Sequence, residues 1–182
     1  MKPVLYWCVC WLVLTFGGAS AQIKSLSLIK EESSVTYRLV HPLHNVEATS
    51  KEMQYRLDVD IATKRIKRVA VQVDVTSFNS GNSNRDSHAM EVIDAITYPD
   101  VRFISTTITQ TGDSLSVAGK LTFHGVTRDV GIAGVSKWTD EKLVVEGGFQ
   151  ISLEAFEVER PSLLMIPVKD TLSFSIVAAF SW

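Results

Sequence analysis

Arg85, Asp86, Ser87 and His88 form the densest cluster of reactive side chains in the chain, and Arg128 lies further on. Guanidinium groups and an imidazole can meet a phosphate or a quinone oxygen, because arginine presents planar forked donors to such acceptors. The same residues can instead pin a turn, with Arg85 or Arg128 paired to Asp86 or Asp129, and the sequence leaves both uses open. The histidines His41, His44, His88 and His124 raise the question of a metal. His41 and His44 are spaced for a helix face, but Pro42 between them argues against a helix. With no Cys or HExxH-type pairing to support them, a metal site is not expected, and hydrogen-bonded surface or barrel-end histidines are the simpler reading. No G-x-S-x-G elbow is present, and Glu146, Glu154, Glu157 and Glu159 read as a solvated edge and loop, so no catalytic residue is assigned.

These groups need elements to hold them. Asn79 to Asn84 is rich in turn formers and reads as a loop, with Arg85, Asp86 and His88 in a polar turn after it. Ala89 to Ile96 is briefly helical, with Met90, Ile93 and Ile96 on one side. Tyr98-Pro99 ends that pattern, since proline disfavours the helical conformation in the residue before it. Elsewhere the chain alternates with period two, the mark of half-buried strands. Val35, Tyr37 and Leu39 begin the series, and His44 to Thr49 continues it as a bent piece after Pro42. Met53 to Asp60, Ile66 to Val75, Val101 to Thr109 and Leu115 to Phe123 follow. Val126 to Ile132, Lys142 to Leu153 and Thr171 to Phe180 complete about eight strands.

The first residues read as a leader. Lys2 supplies a positive start, Val4 to Phe16 is mostly apolar, and Gly17 to Ala21 ends in an A-x-A pattern, so cleavage is expected between Ala21 and Gln22. Cys8 and Cys10 lie inside the apolar run rather than after it, which favours a plain leader over a lipoprotein anchor. Residues 22–182 then form one domain without cysteine, exported to the periplasm or secreted. Losing Lys2 leaves 17 basic against 20 acidic side chains, a net charge of −3. That balance speaks against nucleic acid, whose binding usually needs a basic face. No second apolar run is long enough for a stable membrane span.

Long sequential antiparallel strands either stack as two sheets or close into a barrel, and eight close around a space for one small ligand. Particular motifs favour the barrel. Arg85-Asp86-Ser87-His88, Tyr98-Pro99, Phe103 and Ser105 precede a run from Val117 through Gly119, Leu121, Gly125, Val126 and Thr127 to Arg128. Together with Val35-Thr36-Tyr37 and His41, in this order and spacing, they resemble the YceI family, exported polyisoprenoid-binding proteins of bacteria. The resemblance spans Ser34 to Phe180. It departs at Val46-Glu47-Ala48-Thr49-Ser50, where a family glycine is missing and His44 is an added histidine.

The resemblance implies an all-β fold, an elongated eight-stranded antiparallel lipocalin-like barrel with one short helix. It also implies a long-chain isoprenoid-type lipid in the lumen, no catalysis, no metal and no cofactor. Carried onto this chain, the lumen set is Tyr37, Phe103, Ser105, Val117, Gly119, Leu121, Phe123, Phe149, Ile151, Phe174 and Ile176. The polar rim is His41, Arg85, His88 and Arg128. Gly119, lacking a side chain, is expected to leave room beside the lipid. A homodimer is one assembly the resemblance implies. The apolar faces alone fit a filled core equally well. The alternatives are therefore a surface interaction module, or a lipid-metabolising or stress-related enzyme on the same barrel.

Overall fold

The computed structural model describes residues 23–163 and 165–182, so the leader and its cleavage point lie outside the described residues. The strands are β1 (Ile23–Ser25), β2 (Ser27–Leu28), β3 (Ser34–His41), β4 (His44–Ser50), β5 (Gln54–Asp60), β6 (Arg65–Asp74) and β7 (Asp100–Thr111). They continue as β8 (Ser114–Phe123), β9 (Val126–Trp138), β10 (Lys142–Ser152), β11 (Ser162–Leu163), β12 (Ile166–Pro167) and β13 (Thr171–Ser181). The α-helix α1 spans Ser83–Val92. The strands form one curled antiparallel sheet in the order β1-β5-β6-β7-β8-β9-β10-β13-β3-β4, with β2 added to β13 and β11–β12 as a separate hairpin. The all-β reading holds, with more strands than the expected eight. Nine have seven residues or more, because the bent piece after Pro42 forms β4, a full hairpin partner of β3 from Val35↔Ser50 to His41↔His44.

Among the described residues the two ends of this sheet are not joined by a ladder. An isolated bridge, Thr49↔Asn79, ties β4 to the segment after β6. At the opposite end of the barrel the N-terminal segment crosses from β5 (Ile23↔Asp60) to β13 (Phe180↔Leu28). The register thereby defines two ends. The β3–β4 turn, α1, the β8–β9 turn and the β10–β13 link lie at one, and the N-terminal crossing at the other.

The helix differs from its expected span. It begins at Ser83 because the Asn82 side chain accepts from Arg85 N–H at 3.1 Å, an N-cap that consumes part of the apparent loop. Asp86 fixes the approach by accepting from Ser80 N–H at 3.1 Å. Helical geometry stops at Val92, and Asp94 takes a left-handed conformation (φ 45°). Ile96, expected on the side of Met90 and Ile93, lies past this break and is 97% exposed. The turn between β8 and β9 is the two-residue pair His124-Gly125, both at positive φ (50° and 74°), as a tight hairpin requires. Tyr98 covers it: its ring lies 4.6 Å from that of His124, and a Cβ on Gly125 would stand 2.6 Å from the Tyr98 ring. The Tyr98-Pro99 and His124-Gly125 motifs are therefore two halves of one packing unit.

The core runs inside the curl, with Leu57, Val59, Leu121, Leu143, Phe156 and Val158 among its most buried members. Two carboxylates tie its ends and fall below the ordinary carboxylate value. For Asp60 the causes are the hydroxyl and N–H of Thr63, and for Asp170 the Ser152 hydroxyl and the Glu154 N–H. A depressed folded-state value means the stabilisation is present above about pH 4 and lost as pH falls through the folded value. Thermal melts between about pH 5 and pH 3 should therefore show a falling Tm, and Asp170→Asn should remove part of that fall. A melt series identical in slope for the two proteins would contradict this assignment.

Candidate functional site

The curled sheet encloses two adjoining cavities. The outer one, of about 290 Å³, is roofed by α1 and walled by β3, β4, β13 and the β10–β13 link. Arg85, His88, Ala89, Val92 and Ile93 face it, the spacing that puts residues on one side of a helix. The inner cavity, of about 140 Å³, is lined almost wholly by apolar side chains from β5–β10 and β13. Phe78, Val101 and Phe174 line both, so they form a neck. Tyr37 tilts against Phe78 at 5.3 Å between ring centroids, and Phe149 stacks on Phe174 at 4.8 Å.

The basic and imidazole groups gather at the outer cavity, while Tyr55 and Glu146 are the polar side chains lining the inner one. Tyr37 lies below the helix, and burial raises the pKa of its hydroxyl above the ordinary value; Asp86 raises it further and Arg85 offsets part of the rise. The hydroxyl is thus a neutral donor in an apolar wall. His41 is 3% exposed. Its Nδ1 accepts from Leu43 N–H at 3.1 Å, which leaves Nε2 to donate to the Ile166 carbonyl at 2.9 Å. One imidazole therefore joins the tip of the β3–β4 hairpin to that of β11–β12. The His44 ring lies 5.1 Å from it. His88 is at the mouth, 3.7 Å from Glu91, with both side chains well exposed. Among the described residues no group of three or more His, Cys, Asp or Glu is placed to hold a metal.

The expected site residues divide by place. Tyr37, His41, Arg85, His88 and Phe123 line the outer cavity, and Phe103, Val117, Leu121, Phe149 and Ile176 the inner one; Phe174 touches both. Four line neither. The Ser105 hydroxyl accepts from Val69 N–H at 2.9 Å beside the bulge in β7, a bond internal to the wall. Ile151 is packed in the core. Gly119 faces the Phe103 ring and the Ile104 carbonyl rather than open lumen. Arg128 is exposed and its Nε donates to the Ala155 carbonyl at 3.1 Å, where it holds the 3-10 turn after β10. Neither Asp86 nor Asp129 pairs with it, because Asp86 caps Ser80 and Asp129 takes Lys120 at 3.1 Å. Arg128→Glu should therefore cost about 1 kcal/mol of stability through the lost hydrogen bond. Arg128 lines neither cavity, so any molecule the cavities hold should stay bound as in wild type, read by mass spectrometry of the purified variant.

Other lining residues gave less sequence signal. Val158 and Val168 stand in an irregular link, and Phe78 follows a 3-10 turn, so no periodicity marks them, whereas Leu153 ends the recognised strand in phase with Ile151. Val101 and Leu172 lie in phase on recognised strands and were legible as inward-facing.

The family model of the YceI-like domain matches residues 26–180. The chain belongs to the YceI-like family. Among its relatives, a UPF0312 protein of Pseudomonas putida is 26% identical over 159 residues, covering 82% of this chain and 83% of the relative. Protein YceI of Salmonella newport is 24% identical over 166 residues, 86% of this chain and 87% of its own. Among solved structures, BcnA of Burkholderia cenocepacia superposes with a TM-score of 0.76 at 22% identity, covering 84% of this chain and 99% of BcnA. A polyisoprenoid binding domain from Saccharophagus degradans gives 0.63 at 13% identity, over 86% and 97% of the two chains. At these identities the superpositions establish a shared YceI-type barrel fold.

Proposed function

We propose that this YceI-like protein is a non-enzymatic carrier that holds a long-chain isoprenoid-type lipid in its barrel and works outside the cytoplasm, after removal of residues 1–21. The observation that carries this reading is the pair of adjoining cavities, the inner one lined almost wholly by apolar side chains and the outer one carrying the basic and imidazole groups at its mouth. A tail threaded there leaves water at a gain of roughly 25 cal/mol for each Å² buried, and no polar partner is needed along its length. Tyr37, Arg85 and His88 would meet the polar head, with His41, held by Leu43 and Ile166, shaping the wall beside it; Phe103, Val117, Leu121, Phe123, Phe149, Phe174 and Ile176 would face the tail. Ser105, Gly119, Ile151 and Arg128 support the wall. The polyisoprenoid binding domain of Saccharophagus degradans, which shares the fold, supports the choice of lipid class.

The deciding experiment is organic extraction and mass spectrometry of protein purified from its own host. A single long-chain lipid at close to one per chain is expected. Protein that yields none, with an otherwise native melt, would overturn the carrier reading.

A further inference from the structure

The far end of the lumen is closed by the chain itself, and the closure is built. Leu28 lines the inner cavity and Leu26 is buried in the main core at 3% exposure. Between them the backbone is clamped by one hydroxyl: Tyr55 Oη donates to the Leu26 carbonyl at 2.9 Å and accepts from Leu28 N–H at 2.6 Å. The ladder to β13 at Phe180↔Leu28 completes the stopper. At the other limit of the inner cavity, the neck of Phe78, Val101 and Phe174 separates a space of 140 Å³ from one of 290 Å³.

The inner space therefore has a fixed depth. Phe174 and Phe180 both line it, six residues apart on β13. That separation is about 20 Å along an extended strand, or roughly 15 Å along the axis of a barrel whose strands tilt by about 40°. A depth of this order, with half the volume of the outer cavity, fits one extended chain and not two side by side. The basic and imidazole groups all lie on the outer side of the neck, and inside it the Tyr55 hydroxyl is taken up by Leu26 and Leu28, so the orientation is set with the head at the α1 end.

We infer that the inner cavity is a ruler: it selects single-tailed amphiphiles, and the stopper formed by Leu26 and Leu28 and locked by Tyr55 sets the longest tail that binds fully sheathed. This rests on the carrier reading and adds to it the number of tails and the limit on their length. Within the limit each further isoprene unit moves from water into the lumen. Beyond it, added units must remain in water outside the mouth and add nothing.

The test uses the delipidated mature protein with geraniol, farnesol, geranylgeraniol and solanesol as single-tailed probes and a diacyl phosphatidylcholine as a two-tailed one. Binding is read by native mass spectrometry and competition. Affinity should rise about tenfold or more per added unit along the short alcohols, as the area they bury grows, and then level off. Phosphatidylcholine should bind at least tenfold more weakly than the best alcohol. Ala178, a small residue on the inner cavity wall next to this end, offers a way to shorten the ruler: Ala178→Leu should move the plateau to a shorter alcohol. Tyr55→Phe removes both bonds that lock the stopper and should move the plateau to a longer alcohol. Thermal melts show whether each variant has folded, and the alcohol at which the plateau falls is the readout. A plateau at the same alcohol in wild type and folded Ala178→Leu overturns the ruler, as does phosphatidylcholine binding that matches the best alcohol. Protein that takes up no alcohol at all overturns the carrier reading beneath it as well.

Discussion

Gly119→Ala should destabilise the protein by about 2 kcal/mol and lower Tm by roughly 4–8 °C while leaving its lipid content unchanged. A Cβ at this position would stand 2.5 Å from the Ile104 carbonyl oxygen and 2.5 Å from the Phe103 ring. The ring can swing aside, but the carbonyl belongs to β7, whose register shifts between Ser105 and Thr107 just opposite Gly119. The bulge draws the two strands into a close approach that only glycine tolerates. The sequence suggests another role, in which the missing side chain makes room for lipid, and the two roles have opposite signatures. If Gly119 serves strand packing, the melt of the empty protein falls and extracted lipid per chain holds. A variant with an unchanged empty melt and reduced lipid would restore the other role.

Gly119 illustrates what the sequence can and cannot carry. Alternation in β3, β6, β8 and β13 reports which side chains face inward, because the pleat forces a period of two whatever the partner strand. It does not report where a bulge brings one strand onto another, since that depends on a neighbour many residues away. Val117, Leu121 and Phe174 were therefore legible as inward-facing residues, whereas the crowding of Gly119 by Ile104 was not. The helix was shifted for a similar reason. Asn82, Ser83 and Asn84 look like loop formers by type, but the Asn82 side chain caps a helix once the chain turns there. Arg128 and Asp86 were legible as polar residues near one barrel end. Their partners, the Ala155 carbonyl and the Ser80 N–H, are backbone groups, which no residue pattern marks. Phe78, half of the neck's aromatic content, sits after a 3-10 turn and outside any repeat.

Val101→Asp should empty the lumen. Val101 borders both cavities, so a tail in the inner one and a head in the outer one must pass it. An isolated carboxylate against apolar walls costs several kcal/mol when stripped of water, or it takes up a proton instead. In the empty barrel the cost is moderate, because Val101 is only half-buried and water can follow the charge in from the mouth. With a tail threaded, that water has to leave, and the penalty falls on the bound state alone. Retention should therefore drop by about 100-fold, equivalent to roughly 3 kcal/mol, while the melt of the empty protein falls by much less. Val101→Asn, polar without charge, should fall between the variant and wild type, and Val101→Ala should keep its lipid. Extraction and quantitation of lipid per chain across the three substitutions reads the order directly. Should the aspartate variant keep wild-type occupancy, no tail crosses the neck, and binding is confined to the outer cavity beneath α1.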